Sequence, residues 1–208
     1  PRGATFETRD GPPAVRCEDP AFRPVYITAA PDGSLCICDM YDFYVAHGQH
    51  YQNQIDPTTG RIWRLRGQGR PLETDYDLAS KASADLVGLL GHSNAWHRRT
   101  AVRLLGERKD AATLPMLKSA MTAADPVVAL HALWALHQAA GLDEPTIIAA
   151  VRSPHAGVRE WAVRLACDEW GRQRDAVAGN HAAARGRGPG GMLPSDMFAA
   201  FRRLATDE

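Results

Sequence analysis

The stretch CDMYDFYVAHGQHYQNQIDPTTGRIWRL, Cys38 to Leu65, gathers the side chains best suited to chemistry. His47 and His50 are three apart, a spacing that puts both imidazoles on one face wherever the chain turns helically. Neutral imidazoles suit transition metals, and Asp39 or Asp42 would add oxygen ligands, so Asp39, His47 and His50 form a candidate cofactor-binding set. A second reading of the same residues stays open: histidines that pack or hydrogen-bond within a loop, and an aspartate that caps its own turn. Arg61 and Arg64 flank Trp63, either as a substrate clamp or as a solvated or ion-paired face. No Ser-His-Asp order, phosphate-binding glycine loop or paired-acid spacing is found, so no catalytic residue is assigned.

Cys17, Cys36, Cys38 and Cys167 make no Cys-x-x-Cys pair, and none precedes a histidine in the haem-attachment pattern. Cys36 and Cys38 alternate along an expected strand and so share one face, as small apolar residues packed in a sheet would. Lys+Arg and Asp+Glu balance at 24 each, which gives no overall field for nucleic acid or an anionic membrane. No apolar run approaches the length of a membrane span. The opening PRGATFETRDGPP has neither a signal-peptide core nor an initiator Met and reads as a cut through a longer protein.

Two periodicities organise the elements that would position these groups. Residues 22–71 read as β: Val25 and Ile27 alternate in a first strand, and Pro31-Asp32-Gly33 makes a turn. There proline pre-sets one φ and glycine takes a positive one. Leu35 to Asp39 forms a second strand, and Ile62 and Leu65 alternate with basic residues in a third. Three short strands expose unpaired edges unless others flank them.

From about Ala84 the period is helical. NAWHRRTAVRLL from Asn94, DPVVALHALWAL from Asp125 and HAGVREWAVRLA from His155 align without gaps, 31 and 30 positions apart. Ala101, Ala132 and Ala162 coincide, as do Leu105, Leu136 and Ala166. Shorter amphipathic segments lie between, which is the signature of a stacked helix-pair solenoid. Asn94 and Asp125 stand at N-cap positions, with Pro126 at the first helical position. Trp96, Trp134 and Trp161 read as core or inter-repeat wedges, and His131 and His137 as buried histidines. Around His97, Arg98, Arg99, Arg103, Arg108, Arg159 and Arg164, the interleaved Glu107, Asp110 and Glu160 point to inter-repeat ion pairs rather than a nucleic-acid ridge. The expected class is therefore α+β, a partial antiparallel sheet followed by an α-solenoid. The divisions are 1–75, 76–171, and a Gly/Arg-rich linker with a short C-terminal helix over 172–208.

FRPVYITAAPDGSLCICDMY, then HGQH, then GRIWRLRGQGRPL, then LLGHSNAWHRRTAVRLL, resembles in order and content a family of secreted bacterial proteins. These are the membrane-bound dehydrogenase or haem-binding proteins of planctomycete–verrucomicrobia type. The resemblance implies a propeller similar to glucose/sorbosone dehydrogenases that use pyrroloquinoline quinone, followed by HEAT-like repeats and often a cytochrome-c-like domain. It implies that Phe22–Leu72 is the last propeller blade, that quinone and calcium belong to the full-length protein, and that the location is periplasmic or secreted. Two departures stand out: Leu35-Cys36-Ile37-Cys38-Asp39 replaces an expected Leu-Tyr-Val-Ala-Asp, and Thr58-Thr59 stand where members often carry a histidine. The functional expectation is the C-terminal segment of such a dehydrogenase-like protein, its solenoid docking a protein partner or a cytochrome-like domain. The alternative is a non-enzymatic scaffold that binds proteins or glycans.

Overall fold

The computed structural model describes residues 8–43, 58–179, 199 and 201–202, and within 169–179 the backbone alone. The chain divides into two compact units. One comprises Thr8–Leu78 with Ser93–His97, and the other holds Ala79–His92 and the chain from Arg98 onward.

The first unit is built on β1 (Pro24–Ala29), β2 (Leu35–Asp39) and β3 (Arg61–Leu65), an antiparallel sheet in the order β1-β2-β3. Pro31, Asp32 and Gly33 form the first connection as the sequence requires. The Gly33 amide donates to Ala30 O, and Gly33 sits at φ 86, a value costly for any residue with a Cβ. Asp32 locks the turn by accepting from the Ser34 amide and hydroxyl.

Register assigns the faces. Ile27, Ile37 and Trp63 stand opposite one another across the three strands, and Tyr26, Cys38 and Ile62 form the neighbouring row on the other face. Cys36 and Cys38 share that second face, as alternation requires. Two expectations need correction. Ile62 and Leu65 are three apart and fall on opposite faces of β3, as do Arg61 and Arg64. Val25 lies in a register irregularity between Pro24 and Tyr26, so it does not continue a simple alternation with Ile27.

The second unit is helical: α1 (Ser83–Gly88), α2 (Ala95–Arg108, whose first turn belongs to the first unit), α3 (Leu114–Ala120), α4 (Pro126–Ala140), α5 (Glu144–Val151) and α6 (Ala156–Gly179). The aligned segments start one residue before α2, α4 and α6, so the repeat read from sequence is the structural repeat. The helices form hairpins, α3 packing on α4 and α5 on α6, and the hairpins stack through α1 on α3 and α4 on α6. Ala101, Ala132 and Ala162 are fully buried, with Leu105, Leu133, Leu136 and Ala166 beside them. Small side chains at the aligned position let neighbouring helices close up. Gly106 takes this furthest, because a Cβ there would meet Gln138 Cβ at 2.6 Å.

Local chemistry sets the helix ends. Asn94 Oδ1 accepts from the Trp96 amide at 2.9 Å and Asp125 Oδ1 from the Val127 amide at 2.7 Å. Ahead of α6 the capping oxygen is Ser153 Oγ, which accepts from the His155 amide. α4 stops at Gly141, at φ 75, while α2 is followed by Lys109 at φ 51. α6 stays helical through residues 172–179, beyond the boundary at 171 that composition suggests.

Candidate functional site

Of the three candidate ligands, Asp39 is described, and His47 and His50 lie outside the described residues, with Tyr44 and Tyr51. Asp39 ends β2 and is 3% exposed. Its Oδ1 accepts from the Arg23 amide at 2.8 Å and the Tyr41 amide at 3.0 Å, and its Oδ2 from Trp63 Nε1 at 2.9 Å. Arg61 Nε stands 3.6 Å from the same Oδ2. Burial works to raise the Asp39 pKa, but these three hydrogen bonds and the Arg61 charge outweigh it and hold the carboxyl below its ordinary 3.8. The group is an anion saturated by donors.

The surrounding side chains complete an ionic and aromatic cluster. Arg61 Nη2 donates to Asp19 Oδ2 at 3.2 Å. The Arg61 guanidinium lies 3.6 Å above the Tyr41 ring and 5.1 Å from that of Trp63. Asp19 is held below its ordinary value first by the Ala21 amide and then, against desolvation, by Arg61 and the Tyr41 hydroxyl. Tyr41 adopts φ 52, a conformation that costs a side-chain-bearing residue about 1–2 kcal/mol. The Asp39–Tyr41 bond and the stacked guanidinium offset that strain. Arg23 ties the chain on either side by donating to Pro20 O, Phe22 O and Phe43 O. Asp19 and Arg23 escaped sequence reasoning; the available signal was Asp19-Pro20, an Asx-turn start whose oxygen takes the Ala21 amide.

A cation ligand must turn free oxygens toward open space. Asp39 turns both of its oxygens toward N–H donors and a guanidinium, so it does not fit calcium or a transition metal. Among the described residues, no group of three His, Cys, Asp or Glu is placed to hold a metal ion.

Buried Asp32 and Ser34 make the second polar group of this unit, with the exposed Arg64 as its cation. Arg64 pairs with Asp32 Oδ2, and its Nε donates to Ser34 Oγ at 3.0 Å. Asn94 Nδ2 donates to Ala30 O at 2.9 Å, and His97 Nε2 lies 3.0 Å from Pro31 O and so carries the proton. Both arginines of β3 are therefore paired with aspartates.

In the helical unit Arg98, Arg108 and Arg159 satisfy carbonyls. Arg98 Nη1 donates to His92 O at 2.6 Å, and Arg159 Nη1, at the equivalent position two repeats on, donates to Ser153 O at 2.9 Å. Arg108 reaches Lys81 O and Ala79 O, each at 2.7 Å. This corrects the expectation of inter-repeat ion pairs: carbonyls left over at helix ends need donors, and a guanidinium reaches them. Arg103 pairs with Glu107 along its own helix, and Lys118 pairs with Asp143 across successive hairpins. That lysine, after the Thr146 side chain, helps to lower the Asp143 pKa to about 2.

Trp134 and Trp161 act as wedges between repeats. Trp134 of α4 and Trp161 of α6 meet edge to face with centroids 5.0 Å apart, and Arg164 lies 4.8 Å from the Trp161 centroid. His131 completes the group 4.9 Å from Trp134. It is buried, its Nδ1 donates to Val127 O at 2.7 Å, and desolvation leads the causes that push its pKa below 6.5.

Stacked hairpins at a 30–31-residue period are the arrangement found when the chain is compared with known families. Residues 83–166 match HEAT repeats. That match spans α1 to the middle of α6, the whole of the repeat described above. Residues 1–69 match a second family, described as a domain of unknown function (DUF7133), which takes in the sheet and the Asp39 cluster. No curated protein and no solved structure matches the chain. HEAT hairpins stack into extended surfaces that serve protein–protein interaction. Among the described residues, no helix is long and apolar enough to cross a membrane.

Proposed function

We propose that this chain is a protein-docking segment in which the HEAT hairpins present the binding surface. One observation carries the reading: α2, α4 and α6 repeat in register within the HEAT match, with their apolar residues turned into the stack and charged residues such as Arg103 and Glu160 left outside. The test is photo-crosslinking in the native source, with a photoreactive residue at Met116 on α3 or Gln138 on α4, both exposed. A discrete crosslinked partner, displaced by excess unlabelled chain, is expected. Crosslinks spread over abundant proteins without competition overturn the reading.

A second reading is favoured by the sheet. Among the described residues, the outer edges of β1 and β3 carry no strand, and Tyr26, Ile27 and Ile62 are exposed. A blade that completes itself against further strands has this form. Together with the resemblance above, it supports a secreted, quinone-dependent sugar dehydrogenase-like protein as the larger setting. Asp39 does not fit calcium, so quinone and metal would be held by other residues, and no step is assigned to this cluster. Sugar oxidation by the full-length protein, dependent on added pyrroloquinoline quinone and calcium, tests it. Activity indifferent to both refutes it.

A further inference from the structure

The solenoid carries a row of side chains at one repeat-equivalent position: Arg103 on α2, Trp134 on α4 and Arg164 on α6, 31 and 30 positions apart. Arg103 and Arg164 are exposed, and Trp134 is half-buried between them. The next position along each helix face is Glu107, Gln138 and Asp168, all exposed, and the preceding one is Arg99, Leu130 and Glu160. These rows face away from the buried positions of the stack. The central row thus presents two cations with an aromatic surface between them, widened by Trp161 against Trp134. Tryptophan and arginine are the residues that most often dominate binding surfaces.

We propose that this Arg103–Trp134–Arg164 row binds an extended peptide bearing two carboxylates with an apolar side chain midway between them. The inference rests on the docking reading and specifies its partner. Neighbouring helix axes lie about 8–10 Å apart, and an extended chain advances about 3.3 Å per residue, so each repeat spans three peptide residues. The matching pattern is acidic-x-x-apolar-x-x-acidic. Neither arginine is committed elsewhere in a way that forbids the exchange. Arg103 holds Glu107 at 2.7 Å in an exposed pair, which is weak and open to a competing carboxylate. Arg164 lies against the Trp161 ring, which leaves its donors free to meet an incoming acid. The order Arg, Trp, Arg along the stack selects spacing as well as charge.

The test uses the whole chain and two fluorescein-labelled peptides read by anisotropy: Glu-Gly-Ser-Leu-Ser-Gly-Glu and its counterpart with lysine at both ends. We expect the acidic peptide to bind at least tenfold more tightly and to weaken as salt rises. The R103E/R164E double variant should reverse the preference, and R103Q/R164Q should abolish it. Both arginines are exposed, and unchanged thermal unfolding of the glutamine variant separates lost binding from lost fold. Equal binding of the two peptides, no binding of either, or a preference unmoved by the double variants overturns the proposal. If a native partner still crosslinks at Met116 or Gln138 when the peptides show no preference, this row is wrong and the docking reading stands. Loss of both results removes the docking reading as well.

Discussion

In the sheet unit the buried residues include Asp32, Ser34 and Asp39 beside Ala21, Ile37 and Leu78, while Tyr26, Ile27 and Ile62 are exposed. In the helical unit the buried set is almost all Leu, Ala and Val, and charged groups stay at helix caps and on outer faces. The first unit is held by directed bonds to a few carboxylates, and the second by repeated apolar packing. The difference teaches where each is fragile. A directed network fails when one acceptor is removed, whereas a packed stack fails when volume is removed or added.

The largest effect should come from volume. Leu133 is fully buried, so Leu133→Ala should destabilise the helical unit by about 3–4 kcal/mol, while Ile62→Ala in the sheet, at 73% exposure, should shift stability by less than about 0.5 kcal/mol. Residue-resolved hydrogen exchange measures both, and a comparable loss at Ile62 would break the contrast. Next comes charge. Asp39→Ala strips an acceptor from the Arg23 and Tyr41 amides and from Trp63, and should weaken the sheet by about 3 kcal/mol. Asp125→Ala removes one exposed cap from α4 and should cost about 1 kcal/mol.

A smaller effect distinguishes two glycines of the helical unit. Nothing lies within 4 Å of a Cβ built on Gly88, so Gly88→Ala should gain up to about 1 kcal/mol in thermal unfolding. Gly106→Ala should instead lose about 1 kcal/mol, because overpacking against Gln138 exceeds the helix gain.

The smallest effect is the response to acid, and it separates the units by pH. His131 has its folded pKa below 6.5, so the unfolded chain takes up the proton first and the helical unit loses stability as pH falls from 6.5. Arg98 and Arg99 add to that depression and Asp125 opposes it. Asp39 is also depressed, from 3.8, so its contribution to the sheet persists until pH falls below that value. Protection from exchange, with the intrinsic pH dependence of amide exchange divided out, should fall in α4 between pH 7 and 5 and stay level in β2, and His131→Gln should flatten the α4 response. A parallel loss of protection in β2 would show that the two units do not titrate separately.

Sequence by itself determined the features whose cause is local or periodic. The 30–31-residue repeat placed the starts of α2, α4 and α6, because an apolar stripe at helical spacing has one way to be buried. Asn94, Asp125 and Pro126 marked helix starts, and Pro31-Asp32-Gly33 marked the hairpin, because a cap or turn bond closes over two or three residues. Tertiary structure decided what depends on partners far along the chain. Asp39 looked like an available ligand until the Arg23 amide, sixteen residues away, and Trp63, twenty-four away, were seen to fill its oxygens. Arg98, Arg108 and Arg159 looked like ion-pair partners until unfilled carbonyls were found within their reach. A long side chain bonds whatever acceptor folding brings near, and composition does not record that distance. The exposure of Tyr26 and Ile62 was decided in the same way, because a strand's pattern says which residues share a face and only the assembled sheet says whether that face is covered.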